Sequence, residues 1–131
     1  MNFAKGLMKL EMCPVIEGEG KEWKFLGIWS KNRWEWTVSL LACMHFKATV
    51  VGFYDAMGVE QVEYILNQTE LTSIVCAGAY AEKIIKMKSE GMATHVRDLI
   101  LMEGETISDE MRQNATSDLK IRIHNYNDVV E

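Results

Sequence analysis

Apolar and polar residues follow each other along this chain in blocks whose lengths predict a repeated strand–helix pattern. Four short segments, rich in apolar and β-branched residues, have the length of strands: residues 25–29, 49–54, 71–77 and 96–102. Three intervening segments carry apolar residues at helical spacing: residues 32–48, 58–68 and 80–87. The alternation predicts an α/β fold of the order β-α-β-α-β-α-β, with a mostly parallel sheet, right-handed crossovers and helices on both faces.

Further elements are predicted on either side of this repeat. Apolar residues at helical spacing over 2–12 predict a short first helix, which Pro14 ends. The segment 17–22 is polar and contains two glycines, so it predicts a surface loop. Ser108 is the predicted cap of a short helix, and residues 121–123 are predicted to form a last strand.

Two residues mark predicted helix ends. The Asn32 side chain is placed to accept a hydrogen bond from the Glu35 backbone, while the Glu35 carboxylate reaches back to the Asn32 backbone in a variant of the capping box. Gly91 follows the helix predicted over 80–87, at the position where a left-handed residue commonly ends a helix.

Composition limits the classes of protein to consider. The 131 residues are 48% hydrophobic, which suits one domain over residues 1–131 that buries roughly two-thirds of its unfolded surface. The net charge is −5 and no basic stripe is present, so nucleic acid is not expected as a partner. The three cysteines are far apart and odd in number, which favours a reducing compartment. Neither a cleavable leader nor a membrane-spanning run is predicted, and we expect a cytoplasmic location.

Motifs that carry chemistry are not evident. The Gly-rich phosphate loops of nucleotide-binding proteins have no match in the chain. His45, His95 and His124 stand alone, without a second ligand at metal-binding spacing, and His45 is predicted at the interior edge of its helix. We therefore predict no catalytic, cofactor-binding or metal-binding residue in this chain.

Two residues, Asp55 and Cys76, each have two possible roles. Asp55 follows a predicted strand and precedes a predicted helix, so it either caps that helix or contacts a ligand at the sheet edge. Cys76 lies at the end of a predicted strand, and a buried packing thiol is favoured there over a nucleophile.

The tryptophans fall close together in the sequence, and they also have two interpretations. They form a predicted aromatic cluster that either packs helices on the sheet or lines an acyl pocket or subunit contact. Its members are Trp23, Trp29, Trp34 and Trp36.

Two short sequence motifs add a family resemblance to this strand–helix pattern. Asn-Arg-Trp-Glu-Trp at 32–36 and Tyr-Asp-Ala-Met-Gly at 54–58 resemble the amino-terminal part of long-chain fatty acid–CoA ligases, which are adenylate-forming (AMP-binding) enzymes. Residues 58–72 and 96–102 resemble the family's following helix, turn and strand. Trp34 and Gly52 stand where the family usually has proline, which concerns local backbone geometry more than chemistry.

The resemblance implies a function for a parent enzyme. Such an enzyme activates a long-chain fatty acid with ATP and Mg²⁺ to an acyl-adenylate and transfers the acyl group to coenzyme A. The family's phosphate loop ending in Lys and its carboxyl-terminal domain have no counterpart here, so we expect a partial α/β lobe that begins inside a larger domain and is inactive in isolation. Acyl chain length and membrane association of the parent enzyme stay open.

The alternative to a ligase fragment belongs to a different class of protein. It is a non-catalytic α/β interaction module that binds a protein partner. A large apolar face left open would also favour a homo-oligomer.

Overall fold

The fold is built from seven strands and six helices in the part of the chain that the structure describes. This computed structural model describes residues 2–10, 12–13, 15–18, 21–30, 33–45, 47–53, 57–102, 104–117 and 119–130. In chain order the elements are α1 (Asn2–Lys9), β1 (Ile16–Gly18), β2 (Lys21–Trp23), β3 (Phe25–Trp29), α2 (Trp34–His45), β4 (Thr49–Gly52), α3 (Val59–Thr69), β5 (Ser73–Cys76), α4 (Gly78–Ser89), β6 (Asp98–Leu101), α5 (Asp109–Ser117), β7 (Arg122–Asn125) and α6 (Tyr126–Val130).

A five-stranded sheet lies at the centre, in the order β4-β3-β5-β6-β7, and all of its neighbouring strands are parallel. Leu26 pairs with Val50 on one side of β3, and Ile28 pairs with Val75 on the other. The inner strands β3, β5 and β6 are almost wholly buried because helices cover both faces of the sheet, whereas the edge strands β4 and β7 are partly exposed. The predicted α/β class and parallel sheet are confirmed.

Helices cover both faces of the sheet and enclose two separate cores. Alternate residues of each strand point to opposite faces, so Ile74 and Leu99 pack with α3, α4 and α5. Val75 and Ile100 pack with α1, α2 and α6 on the other face. The three-layer arrangement follows directly from this alternation.

Helices α1 and α6 approach each other closely, because Gly6 has no side chain. A Cβ atom placed on Gly6 would overlap the carbonyl oxygen of Val129. On the same side, the rings of Phe3 and Tyr126 stack with centroids 4.3 Å apart.

Two predictions about local structure were wrong. The segment 17–22 is not a plain surface loop, because β1 and β2 pair as an antiparallel hairpin, with Glu17 opposite Glu22. Helix α6 was not predicted; its five residues are too few to show a helical period.

Two of the predicted helix ends lie within the described residues, and two do not. Gly91 has φ +89° directly after α4, and the Ser108 hydroxyl accepts a hydrogen bond from the Met111 backbone N–H at 3.3 Å, so both predictions are confirmed. Asn32 and Pro14 lie outside the described residues. None of the described helices has the length and hydrophobicity to cross a bilayer.

Candidate functional site

Strand order singles out one place on the sheet as the candidate site. The chain runs from β3 to β4 on one side and then returns past β3 to β5, so the direction of strand addition reverses at β3. Helix α2 therefore lies on one face and α4 on the other, and for this strand order the switch-point rule places a crevice between the carboxyl ends of β3 and β5. Ligands of doubly wound α/β proteins bind at such a switch point.

The Glu105 carboxylate bridges this crevice. Its Oε1 accepts a hydrogen bond of 2.9 Å from the Gly78 backbone N–H at the start of α4, and its Oε2 lies 3.5 Å from the Arg33 guanidinium. The start of a helix carries a partial positive charge, so this carboxylate is favourably placed. A Cβ atom on Gly78 would overlap the Thr106 carbonyl oxygen, which explains why the loop comes so close only at a glycine.

Arg33 also holds a second carboxylate, that of Glu35. Arg33 Nη2 lies 2.8 Å from Glu35 Oε2, and the Glu35 side chain is fully buried in the first turn of α2. A buried carboxylate requires such a partner, because removing the charge from water is costly. The predicted capping role of Glu35 involves Asn32, which lies outside the described residues, and the contact that the structure describes for Glu35 is its ion pair with Arg33.

A buried hydroxyl group from α6 lies in the same region as Glu35. Burial raises the pKa of Tyr126 to about 12; the neighbouring Ser39 hydroxyl opposes this shift, and the charge of Glu35 adds to it. Ser39 is itself fully buried one turn after Glu35. The inner side of α2 is thus polar near its start.

Aromatic rings form the α4 side of the crevice. The Trp29 and Tyr80 rings stack with centroids 4.8 Å apart and an interplanar angle of 12°. Lys83 Nζ lies 5.8 Å from the Trp29 centroid and 5.3 Å from that of Tyr80, within the range of a cation–π contact. The α4 side thus combines two stacked rings with one lysine ammonium.

The Cys76 thiol at the crevice has low reactivity. Cys76 is fully buried at the end of β5, and burial raises its pKa to about 12, with the Glu105 charge adding to the shift. Because the thiolate is the reactive form, this thiol is not a nucleophile at neutral pH. The structure supports the packing role that the sequence favoured.

The four tryptophans do not form a single cluster. Trp29 belongs to the core on the α3, α4 and α5 face, whereas Trp36 packs against the core on the opposite face. Trp23 stacks on Phe25, and Trp34 meets the Tyr126 ring edge-on with centroids 5.5 Å apart. The predicted common aromatic cluster was wrong, because the sheet lies between its members.

The remaining candidates do not meet in the crevice. Asp55 lies outside the described residues, so its two interpretations stay open. His45 and His95 are exposed, and the predicted interior-edge position of His45 was wrong. The described residues contain no group of three His, Cys, Asp or Glu side chains that could hold a metal ion.

His124 instead belongs to a buried charge cluster at the opposite, amino-terminal edge of the sheet. Asp98 opens β6 and is fully buried, with Oδ1 2.6 Å from Arg122 Nε and 3.1 Å from His124 Nε2. Its Oδ2 accepts hydrogen bonds from Arg122 Nη2 at 3.1 Å and from Arg97 Nε at 3.2 Å. This edge is not where parallel sheets bind ligands, and every part of the cluster serves to neutralise one carboxylate.

Known proteins resemble this chain over part of their length. Long-chain-fatty-acid–CoA ligase 5 of Mus musculus is 28% identical over 96 residues, which cover 72% of this chain and 14% of the ligase. Fatty acyl-CoA synthetase A of Dictyostelium discoideum is 35% identical over 71 residues, which cover 54% of this chain and 11% of the synthetase. The chain spans only a small part of the length of these relatives.

Solved structures contain the same fold. The adenylation domain of carboxylic acid reductase from Segniliparus rugosus, in complex with AMP and a co-purified carboxylic acid, matches with a TM-score of 0.73 and 17% identity, over 98% of this chain and 21% of that chain. The adenylation domain of the carboxylate reductase of Mycobacterium chelonae matches with a TM-score of 0.74 and 14% identity, over 98% of this chain and 20% of that chain. At these identities the likeness concerns the fold alone.

A sequence profile shows the family. The profile described as AMP-binding enzyme matches residues 18–128, a range that contains the whole parallel sheet. The resemblance to long-chain fatty acid–CoA ligases, first drawn from the motifs, is confirmed by the relatives named above. The chain therefore belongs to the family of AMP-binding enzymes.

Proposed function

We propose that this chain is one α/β lobe of a long-chain fatty acid–CoA ligase. The parent reaction uses ATP and Mg²⁺ to convert a fatty acid carboxylate to an acyl-adenylate, and coenzyme A then accepts the acyl group. The match of the AMP-binding profile over 18–128 carries this proposal, together with the long-chain ligases among the relatives. The lobe supplies scaffold to that reaction and has no turnover of its own.

The charges in the crevice support the second part of the proposal. Adenylate formation requires cationic groups that neutralise the phosphates of ATP and position them. In the crevice, Arg33 already contacts the carboxylates of Glu35 and Glu105, and Glu105 occupies the start of α4. A phosphate group would meet these carboxylates there, which opposes binding by like-charge repulsion.

A turnover assay tests the proposal. The purified chain is incubated with a long-chain fatty acid, ATP and Mg²⁺, with and without coenzyme A, and AMP formation is measured beside the intact mouse ligase 5. We expect no fatty acid-dependent AMP from the chain and robust AMP from the ligase. Turnover by a folded, soluble sample of the chain would overturn the claim that the lobe is inactive alone.

The transcript provides a second and independent test. A Gly-rich loop ending in Lys, in the same frame after the codon for Glu131, would support a ligase lobe. A stop codon directly after that position, together with stable expression of the chain, would favour the alternative of a non-catalytic interaction module. The exposed apolar residues on α2 are the observation that favours this alternative.

A further inference from the structure

Helix α2 is apolar on its outer side as well as over most of its inner side. Its inner side buries a glutamate and a serine, Glu35 and Ser39, beside Ala42 and Cys43. Its outer side exposes large apolar residues: Trp34 51%, Leu40 40%, Leu41 44% and Met44 70%. Trp34, Leu41 and Met44 recur at helical spacing and Leu40 lies beside them, so the four residues share one face, which we call the α2 outer face (Trp34, Leu40, Leu41 and Met44).

The rotation of α2 that produces this face is fixed by specific contacts. The buried Glu35 carboxylate is tied to Arg33 at 2.8 Å, and Arg33 is tied in turn to Glu105 at 3.5 Å. Turning α2 to bury the outer face would break these ion pairs and expose the buried core residues Ala42 and Cys43. The apolar face is thus held outward by the fold.

Helices α4 and α5, on the opposite layer, carry charged residues, as helices in contact with water do. Helix α4 carries Glu82, Lys83, Lys86 and Lys88, and α5 carries Asp109, Glu110 and Arg112. Between its first and last residues, α2 has one charged residue, and that residue is the buried Glu35. A helix that is apolar on its outside as well as its inside is normally covered by protein or lipid.

The surroundings favour protein over lipid as the cover. Helices that lie on membranes carry Lys and Arg on the face beside their apolar stripe, and α2 carries neither. The net charge of −5 also disfavours an anionic bilayer. A second copy of this chain would place two uncharged apolar faces together, with no complementary charges in α2 to set their register.

The matched structures are much longer than this chain, which supports a polypeptide of the same domain as the cover. The adenylation domain from Segniliparus rugosus contains this three-layer unit over 98% of the present chain, yet the unit is 21% of that domain's chain. In that structure the unit is thus embedded in a polypeptide several times its own length, which supplies ample surface to cover a helix.

We propose that the α2 outer face is the docking surface for the remainder of an adenylate-forming domain. This inference rests on the proposed function and names the partner of the lobe. Burial of Trp34, Leu41 and Met44 in that contact removes apolar surface from water, which drives the association.

Cysteine labelling tests which partner covers the face. The three native thiols are buried, so single introduced cysteines report on their own positions. Met44→Cys reports on the α2 outer face, and Tyr64→Cys on α3 is the matched control, because Tyr64 is 67% exposed on the opposite layer. Both variants are made in the isolated chain and in a chimera of mouse ligase 5 in which this chain replaces the equivalent lobe.

We expect the two introduced thiols to react at similar rates in the isolated chain. In the chimera, labelling at position 44 is expected to slow by about a hundredfold or more, because a buried thiol reacts only from transiently open states, while labelling at position 64 stays fast. Peptide mass spectrometry separates these positions from the cysteines of the mouse ligase. Unchanged labelling at position 44 would overturn the proposal.

Other outcomes also decide the question. Protection at position 44 that grows with concentration of the isolated chain identifies a second copy as the occupant, and protection by phosphatidylcholine–phosphatidylserine vesicles identifies a membrane; each overturns the proposal. Labelling of the native cysteines in the chimera means that the lobe does not fit its new surroundings, which also counts against it. AMP formation by the chimera is scored separately and tests only the proposed ligase function.

Discussion

Replacing Asp98 by alanine is expected to destabilise the fold substantially, because this residue is a fully buried carboxylate that two arginines and one histidine contact. Its two oxygens lie between 2.6 and 3.2 Å from nitrogen atoms of Arg97, Arg122 and His124. Arg122 also donates a hydrogen bond to the Leu10 carbonyl, so the cluster connects the two strands β6 and β7 to the segment after α1. The alanine variant lacks the carboxylate that these three side chains share.

The expected loss follows from how exposed the partners are. Removing one member of a fully buried ion pair typically costs about 3–5 kcal/mol. Arg97 and Arg122 keep 45% and 47% of their side-chain surface exposed, so water can solvate them again and reduces the cost. We expect Asp98→Ala to lower the free energy of unfolding by about 2–3 kcal/mol, and the melting temperature by roughly 6–12 °C.

The pH dependence of this loss has a definite sign. Burial alone would raise the pKa of Asp98, but hydrogen bonds from His124 and Arg122 outweigh burial and lower this pKa below its ordinary value of 3.8. A carboxyl group whose folded pKa is lowered stabilises the protein above its unfolded pKa and loses that contribution as the pH falls through the folded value. The difference between parent and variant should therefore be constant above about pH 5 and shrink below about pH 4.

Urea unfolding followed by tryptophan fluorescence measures these quantities between pH 2 and pH 7. Asp128→Ala is the control, because Asp128 is an exposed carboxylate whose removal should change stability by less than about 0.5 kcal/mol. A loss for Asp98→Ala no larger than that of the control would refute the structural importance of the cluster. A difference that grows as the pH falls would refute the assigned charge of Asp98.

Three further predictions concern close packing and thiol chemistry. Gly78→Ala should cost about 1–3 kcal/mol, because its Cβ overlaps the Thr106 carbonyl oxygen, whereas Gly52→Ala, whose Cβ would make an ordinary contact, should be nearly neutral in urea unfolding. Gly6→Ala should cost a similar amount by pushing Val129 and α6 away from α1, and amide exchange in α6 should accelerate; unchanged exchange would contradict the close approach. All three cysteines should resist a thiol reagent at pH 8 and react in urea, because burial raises each pKa from 9.0 to about 12 and lowers the thiolate fraction about a thousandfold. Fast labelling of the native protein would contradict that burial.

The parallel sheet was predictable from the sequence because each of its central strands is a continuous apolar run. Residues 73–76 and 98–101 are buried throughout, and such runs need no partner information to be recognised. The hairpin of β1 and β2 was not predictable in this way, since its strands have three residues each and pair two glutamates, Glu17 and Glu22. Its formation depends on backbone pairing, which leaves little trace in composition.

Charged side chains were the least predictable part of the candidate site. Asp98 opens an apolar strand, but Arg122 and His124 come 24 and 26 residues later, so only the β6–β7 pairing brings them together. Glu105 likewise reaches Gly78 across 27 residues through the neighbouring ends of β5 and β6. Helix propensity and capping rules concern adjacent residues, and they give no information on contacts over such separations.

The ion pair of Arg33 and Glu35 connects the two surfaces of functional interest. Through Glu105 it fills the crevice with the chain's own carboxylate, so the Arg33 guanidinium is already paired there. Through the burial of Glu35 it sets the rotation of α2 and therefore directs Trp34, Leu41 and Met44 outward. On the proposed function, a lobe that pairs Arg33 internally and presents an apolar helix to its surroundings is suited to a structural role in a larger domain, and the proposal assigns the phosphate-binding cations of adenylate chemistry to the rest of that domain.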